Sequence, residues 1–170
     1  LEAARSAGFD PSQGALKLNA VIQKGRNDDQ LIPLARLARD RGVELRLIEY
    51  MDVGSRNGWS LAQVMPALEM VQRVASHWPL DPVGRSSSST TSRWRCRDGA
   101  GHLGVIASIS APFCGDCNRI RVTADGQVFT CLFASQGVDL RPYLRAGEPE
   151  SQLRERLSDL WTRRSDRFSE

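Results

Sequence analysis

Apolar and polar residues alternate along Leu16–Ile22, with Lys17 and Asn19 on one side and Leu18, Ala20 and Ile22 on the other. A period of two predicts a strand. Asn27 follows as an N-cap, with Asp28 and Asp29 in a first turn where the helix dipole favours negative charge. Leu31, Leu34, Ala35 and Ala38 then recur at helical spacing until Gly42 ends the pattern. Val43–Tyr50 returns to alternation, placing Glu44, Arg46 and Ile48 on one face and Leu45 and Leu47 on the other. Strand, helix and strand in this order predict a right-handed β-α-β unit with parallel strands. Upstream, Leu1–Gly8 reads as the tail of a helix capped by glycine.

Parallel strands usually pack helices on their faces, so polar side chains in both strands need a reason. Lys17 and Arg46 are therefore expected to project into a ligand cavity, as inside an α/β barrel. The alternative is that they are charges at the solvated ends of an edge strand.

Further on, Trp59–Ala75 reads as a helix capped by Ser60, with Leu61, Val64, Leu68 and Val71 on its apolar side and Pro66 as a point of division or kinking. Ser86–Ser92 is low-complexity and polar, which predicts an exposed loop. Gly104–Ile109, Arg119–Ala124 and Val128–Leu132 read as strands, the last two as a hairpin. Asp139–Ala146 and Glu150–Thr162 read as helices, the second turning Leu153, Leu157, Leu160 and Trp161 towards the core. No internal repeat is present. The expected division is 1–85 for the β-α-β part, 86–92 for the loop and 93–170 for a C-terminal region.

Composition narrows the classes. A chain of 170 residues with 41% hydrophobic residues can bury a core. A formal charge of +3 suits an anionic ligand but gives no case for DNA or RNA. Four cysteines are too few for a disulfide scaffold, and neither a signal peptide nor a spanning apolar run is seen, so a cytoplasmic protein without membrane attachment is expected.

The chemistry concentrates at Cys114-Gly-Asp-Cys117 and Cys131. Two thiolates two residues apart can grip one metal centre, and a hairpin can return a third. Four thiolates close an ordinary iron–sulfur cluster, so three leave one iron open to a ligand. Arg119 and Arg121 stand beside them as two guanidinium forks that suit phosphate oxygens. The intervening turn decides whether they share a face. A two-residue turn at Asp125-Gly126 would set Cys131 opposite Ile120, whereas a three-residue turn with Gly126 left-handed pairs Cys131 with Arg119. The second is predicted, because it alone gathers Cys131, Arg119 and Arg121. The competing reading is structural zinc completed by Cys96 or His102, in a non-catalytic module that binds nucleotide or protein. Cys96 otherwise reads as an unrelated thiol, and His77 and His102 as surface histidines.

Taken together, Lys17-Leu-Asn-Ala-Val21, Lys24-Gly-Arg-Asn-Asp-Asp29, Arg46-Leu-Ile-Glu-Tyr-Met51, Pro112-Phe-Cys-Gly-Asp-Cys-Asn-Arg-Ile-Arg121, Thr123-Ala-Asp-Gly126 and Cys131-Leu-Phe133 resemble the MoaA family, the radical S-adenosylmethionine GTP 3′,8-cyclases of molybdenum cofactor biosynthesis. The resemblance covers nearly the whole chain, as the C-terminal half of that family. It implies an α/β fold: the C-terminal part of an incomplete TIM-type barrel, followed by an α+β region carrying the Cys-rich hairpin. It implies that Cys114, Cys117 and Cys131 hold a second [4Fe–4S] cluster, and that Lys17, Arg46, Arg119, Ile120 and Arg121 bind GTP. Met51 would contact S-adenosylmethionine. The implied reaction is radical cyclisation of GTP to (8S)-3′,8-cyclo-7,8-dihydroguanosine 5′-triphosphate, with S-adenosylmethionine and a further [4Fe–4S] cluster supplied by the other half. No catalytic residue is assigned here. The family's Cys-x3-Cys-x2-Cys, its glycine-rich motif and its terminal glycine pair do not occur in this sequence. The expectation is thus a fragment that cannot generate the radical alone, and whose open strand edges admit a homodimer or partner chain.

Overall fold

A computed structural model describes residues 1–53 and 58–165. The β-α-β unit forms as the pattern predicts. Strand β1 (Lys17–Ile22) runs parallel to β2 (Glu44–Glu49), with Lys17 opposite Glu44 and Asn19 opposite Arg46, and α2 (Leu31–Asp40) connects them. Ahead of them, α1 (Glu2–Ser6) ends at Gly8. Asn27 does not cap α2. Its carboxamide folds the chain back instead, accepting from Gln23 N at 2.8 Å and donating to the Val21 carbonyl at 2.9 Å. A 3-10 turn at Asp28–Gln30 separates it from the helix.

The expected helix over Trp59–Ala75 is shorter. Ser60 caps only a 3-10 turn, Val64 is extended, and α3 spans Ala67–Ala75. Pro66 is the cause, since its ring excludes a preceding helical residue and restarts the helix after it. The apolar stripe moves with the new start: Met70, Val71 and Val74 are buried, while Leu61 and Leu68 are exposed. Each buried aliphatic contributes on the order of 1.5–3 kcal/mol.

Three strands lie where no strand is predicted: β3 (Leu80–Gly84), β4 (Ser92–Cys96) and β8 (Val138–Asp139). The first two, with β5 (His102–Ile106), complete a five-stranded mixed sheet in the order β1-β2-β5-β4-β3. Strand β5 is parallel to β2 and antiparallel to β4. Residues 85–91 connect β3 to β4, which already takes in Ser92, and the run is not wholly exposed, since Thr91 is buried and Thr90 half-buried; strands on both sides of it share this sheet. A smaller sheet follows, built from β6 (Arg121–Val122), β7 (Gln127–Phe129) and β8. Helices α4 (Arg141–Arg145) and α5 (Glu150–Thr162) end the described chain. Leu153, Leu157, Leu160 and Trp161 of α5 are half-buried. The fold is mixed α/β. Among the described residues no helix is long and apolar enough to cross a membrane.

Both α2 and α3 cover the same face of the large sheet. Leu31, Ala35 and Ala38 meet Met70, Val71 and Val74 over Leu45, Leu47, Leu103 and Val105. The opposite face carries Lys17, Asn19, Glu44, Arg46, Ile48, Gly104 and Ile106, the other phase of the same alternation. At the end of β2 the fully buried Glu49 joins three segments. Its carboxylate accepts from Ala67 N at 2.7 Å, Ile109 N at 2.7 Å, Ser110 N at 2.9 Å and the Ser110 hydroxyl. It therefore fixes both the start of α3 and the segment leading to the cysteines.

Candidate functional site

The three cysteines meet at one cavity of about 210 Å³. Cys114 opens a 3-10 turn, Cys114–Asp116, and Cys117 leaves it extended. Cys131 arrives from the hairpin. That hairpin has the predicted three-residue turn: Thr123 N donates to the Gln127 carbonyl at 2.9 Å, and Gly126 is left-handed at φ +81°. Arg121 pairs with Phe129, the register in which Arg119 would fall opposite Cys131, although the ladder stops at that pair. Arg119, Arg121 and Cys131 all line the cavity. Ile120 alternates away, at 41% exposure, and is not part of the lining.

Donors surround the sulfurs. Arg119 Nη2 lies 3.4 Å from Cys117 Sγ, and Phe133 N donates to Cys131 Sγ at 3.4 Å. Burial alone would push the Cys117 thiol up, but the Arg119 N–H, its guanidinium and the charge of Arg164 outweigh burial and hold it below the ordinary thiol range. Arg119 also packs against the Phe113 ring, 5.3 Å from its centroid. Its buried Nε finds no acceptor among the described residues. A bound group would supply one.

Residues the sequence reading passed over complete the cavity. Ile48 and Ile106 form its floor on the open face of the sheet, beside Met51 at the exit of β2. Thr90 enters from the serine-rich loop, which Arg85 ties to Asp116 of the cysteine turn at 2.5 Å. Arg164 closes the rim, its guanidinium 3.6 Å over the Trp161 ring. The stack of Trp161 and Arg164 at the end of α5 is the one signal in the sequence that could have marked it.

Lys17 and Arg46 line a second cavity, of about 490 Å³, together with Glu44, Arg93 and Ser12. It adjoins the first across the same sheet face, because Arg46 and Ile48 are consecutive inward positions of β2, roughly 7 Å apart along a strand. Glu44 is buried here, accepting from Arg46 Nε at 2.8 Å and from Arg93. Burial would raise its pKa, yet the hydrogen bonds and charges of Arg46 and Arg93 hold it below the ordinary carboxylate value of 4.5. A depressed folded pKa gives stability that is present above pH 4.5 and lost as pH falls through the folded value. The difference in urea midpoint between wild type and Glu44→Gln should therefore shrink on acidification below pH 4.5. A constant difference down to pH 3 would show that the carboxylate charge contributes nothing.

Neither fourth ligand considered for zinc reaches the cysteine cavity. Cys96 is buried on the helix side of the sheet, against Ala35, Ala38 and Val74, where burial pushes its thiol up. His102 lines that small cavity and the polar one. Among the described residues no group of three or more His, Cys, Asp or Glu converges on a single ion. A cluster distributes its thiolates over separate irons, so three half-buried thiols around one cavity, with N–H donors on two of the sulfurs, fit such a group without meeting at a point.

A sequence profile of the family described as Molybdenum Cofactor Synthesis C matches residues 43–170. The chain is 89% identical over 170 residues to the protein named GTP 3′,8-cyclase of Synechococcus sp. (strain CC9902), covering all of this chain and 49% of that relative. It is 66% identical to the protein of the same name from Parasynechococcus marenigrum (strain WH8102), covering 48% of it, and 51% identical to that of Acidothermus cellulolyticus (strain ATCC 43068 / DSM 8971 / 11B), covering 47%. The chain spans about half the length of the curated relatives it matches.

Proposed function

Because the chain belongs to the Molybdenum Cofactor Synthesis C family, we propose that it forms the nucleotide- and cluster-binding half of a GTP 3′,8-cyclase. The observation that carries this reading is the single cavity in which Cys114, Cys117 and Cys131 stand with Arg119 and Arg121. These cysteines would hold a [4Fe–4S] cluster. When bound, it would offer an iron without a protein ligand, a Lewis-acidic position for a purine nitrogen or oxygen. The radical chemistry, with S-adenosylmethionine at Met51 and a further cluster, belongs to the complete enzyme. The large sheet is then the C-terminal part of an incomplete barrel, its open face the lumen.

The chain's own groups have distinct tasks. Arg119 and Arg121 neutralise and orient an anionic substrate, and the Phe113 ring restrains the Arg119 fork. Ile48 and Ile106 exclude water beneath a planar base. Lys17 and Arg46 receive negative charge in the adjoining polar cavity. With that function goes a cytoplasmic setting, in which the four thiols would stay reduced.

The test is anaerobic reconstitution followed by iron, sulfide and GTP-binding measurements. Bound iron with acid-labile sulfide is expected, and Arg119→Ala should weaken GTP binding by about 1–3 kcal/mol. A colourless protein holding one zinc, with GTP affinity indifferent to Arg119, would replace this reading with that of a structural metal module.

A further inference from the structure

The polar cavity contains a carboxylate and an arginine that sequence reasoning left without a role. Glu44 lies on β2 and Arg93 on β4, with β5 between them. Residues on next-but-one strands are too far apart for most side chains to meet, unless the intervening strand presents nothing. It presents Gly104, which pairs with Arg46 on one side and Arg93 on the other. A Cβ on Gly104 would come within 2.6 Å of Thr91 Cγ2, 3.1 Å of Arg46 Cγ and 3.3 Å of Glu44 Oε1. The missing side chain opens the passage through which Glu44 and Arg93 form their ion pair.

The result is a preset array. One carboxylate oxygen takes Arg46 Nε and the other takes Arg93 Nη2. Lys17 lines the same cavity, so three cations face one carboxylate. A set built only for stability would tend towards neutrality, whereas this one keeps uncompensated positive charge around a hollow. Arg93 Nε is also buried with no acceptor among the described residues. The side chain as a whole lines the hollow and is 43% exposed, so its guanidinium is accessible to a ligand there.

We propose that Arg93 is a third binding cation of the polar cavity, for the phosphate chain of a nucleoside polyphosphate, and that Glu44 is a positioning residue that holds Arg46 and Arg93 as a pair. The inference rests on the proposed nucleotide reading for the identity of the ligand, but the cavity's affinity for a polyphosphate does not depend on iron or on a base. Gly104 gives the array its geometry, and three cations around one hollow suit a ligand that carries several negative charges.

The test measures binding of inorganic tripolyphosphate, GTP and guanosine to the intact protein by calorimetry. Arg93→Ala should weaken tripolyphosphate and GTP about tenfold to a hundredfold and leave guanosine unchanged. Arg93→Lys keeps the charge without the fork and should lose severalfold, provided thermal unfolding shows it folded. Glu44→Gln separates positioning from charge. If Glu44 merely dampens the field, removing it should tighten anion binding; if it positions the arginines, binding should weaken. Tripolyphosphate affinity unchanged in folded Arg93→Ala or Arg93→Lys, or strengthened in Glu44→Gln, overturns the assignment. A protein that binds tripolyphosphate as expected but neither iron nor guanosine would instead overturn the nucleotide reading and leave this cavity's role standing.

Discussion

Glu49→Ala is expected to remove about 3–5 kcal/mol of stability, seen as a lower urea midpoint at unchanged slope. The carboxylate is fully buried, and its deletion strands three backbone N–H groups and the Ser110 hydroxyl without acceptors. Each stranded donor costs its own desolvation, and no other acceptor replaces the four bonds. A domain of ordinary stability has only about 5–15 kcal/mol to lose, so the variant should be marginal at 37 °C. Because Ile109 and Ser110 lead into the cysteine turn, iron retention should fall alongside stability. Glu49→Gln keeps one acceptor oxygen and should recover part of the loss. A cost below about 1 kcal/mol for Glu49→Ala would mean that water replaces the carboxylate, and that Glu49 does not anchor the segment.

Cys117→Ala should abolish cluster incorporation, measured as iron and acid-labile sulfide per chain after anaerobic reconstitution. Two remaining thiolates cannot hold a cluster that needs three, and Cys117 is the thiol whose ionised form its neighbours favour. Cys96→Ser serves as the contrast. Its side chain faces the helices across the sheet, so iron content should not change. If Cys96→Ser empties the metal site instead, the three cysteines complete a four-ligand zinc centre and the cluster assignment is lost.

The hairpin shows how far residue chemistry alone can reach. Ala124-Asp125-Gly126 admits two turns, and only the three-residue one sets Cys131 opposite Arg119; the ladder from Arg121 to Phe129 has that register. The β-α-β unit and the span of α5 were equally legible, because hydrophobic period is a local property, although the expected Asn27 cap was not formed. Strand β3 was not. Pro82 interrupts its pattern, and the ladder shifts between Pro82 and Gly84, which an edge strand tolerates because one side needs no pairing. The helix before Ala75 failed for a related reason: apolar spacing ran on through Pro66, and the backbone could not follow.

By itself, then, the sequence determined which residues could share a face: Glu44, Arg46 and Ile48 on β2, and Arg119 and Arg121 beside the cysteines. Alternation is a consequence of strand geometry and needs no neighbours. Only the tertiary structure decided how those faces meet. It placed Lys17 and Arg46 in one cavity and Arg119 and Arg121 in the next, rather than around a single hollow. It brought Thr90 and Arg164 to the cysteines, and Glu44 to Arg93 over the bare backbone of Gly104. Depth along a sheet and contact across an intervening strand depend on register and packing between segments far apart in the chain, and no local period encodes them.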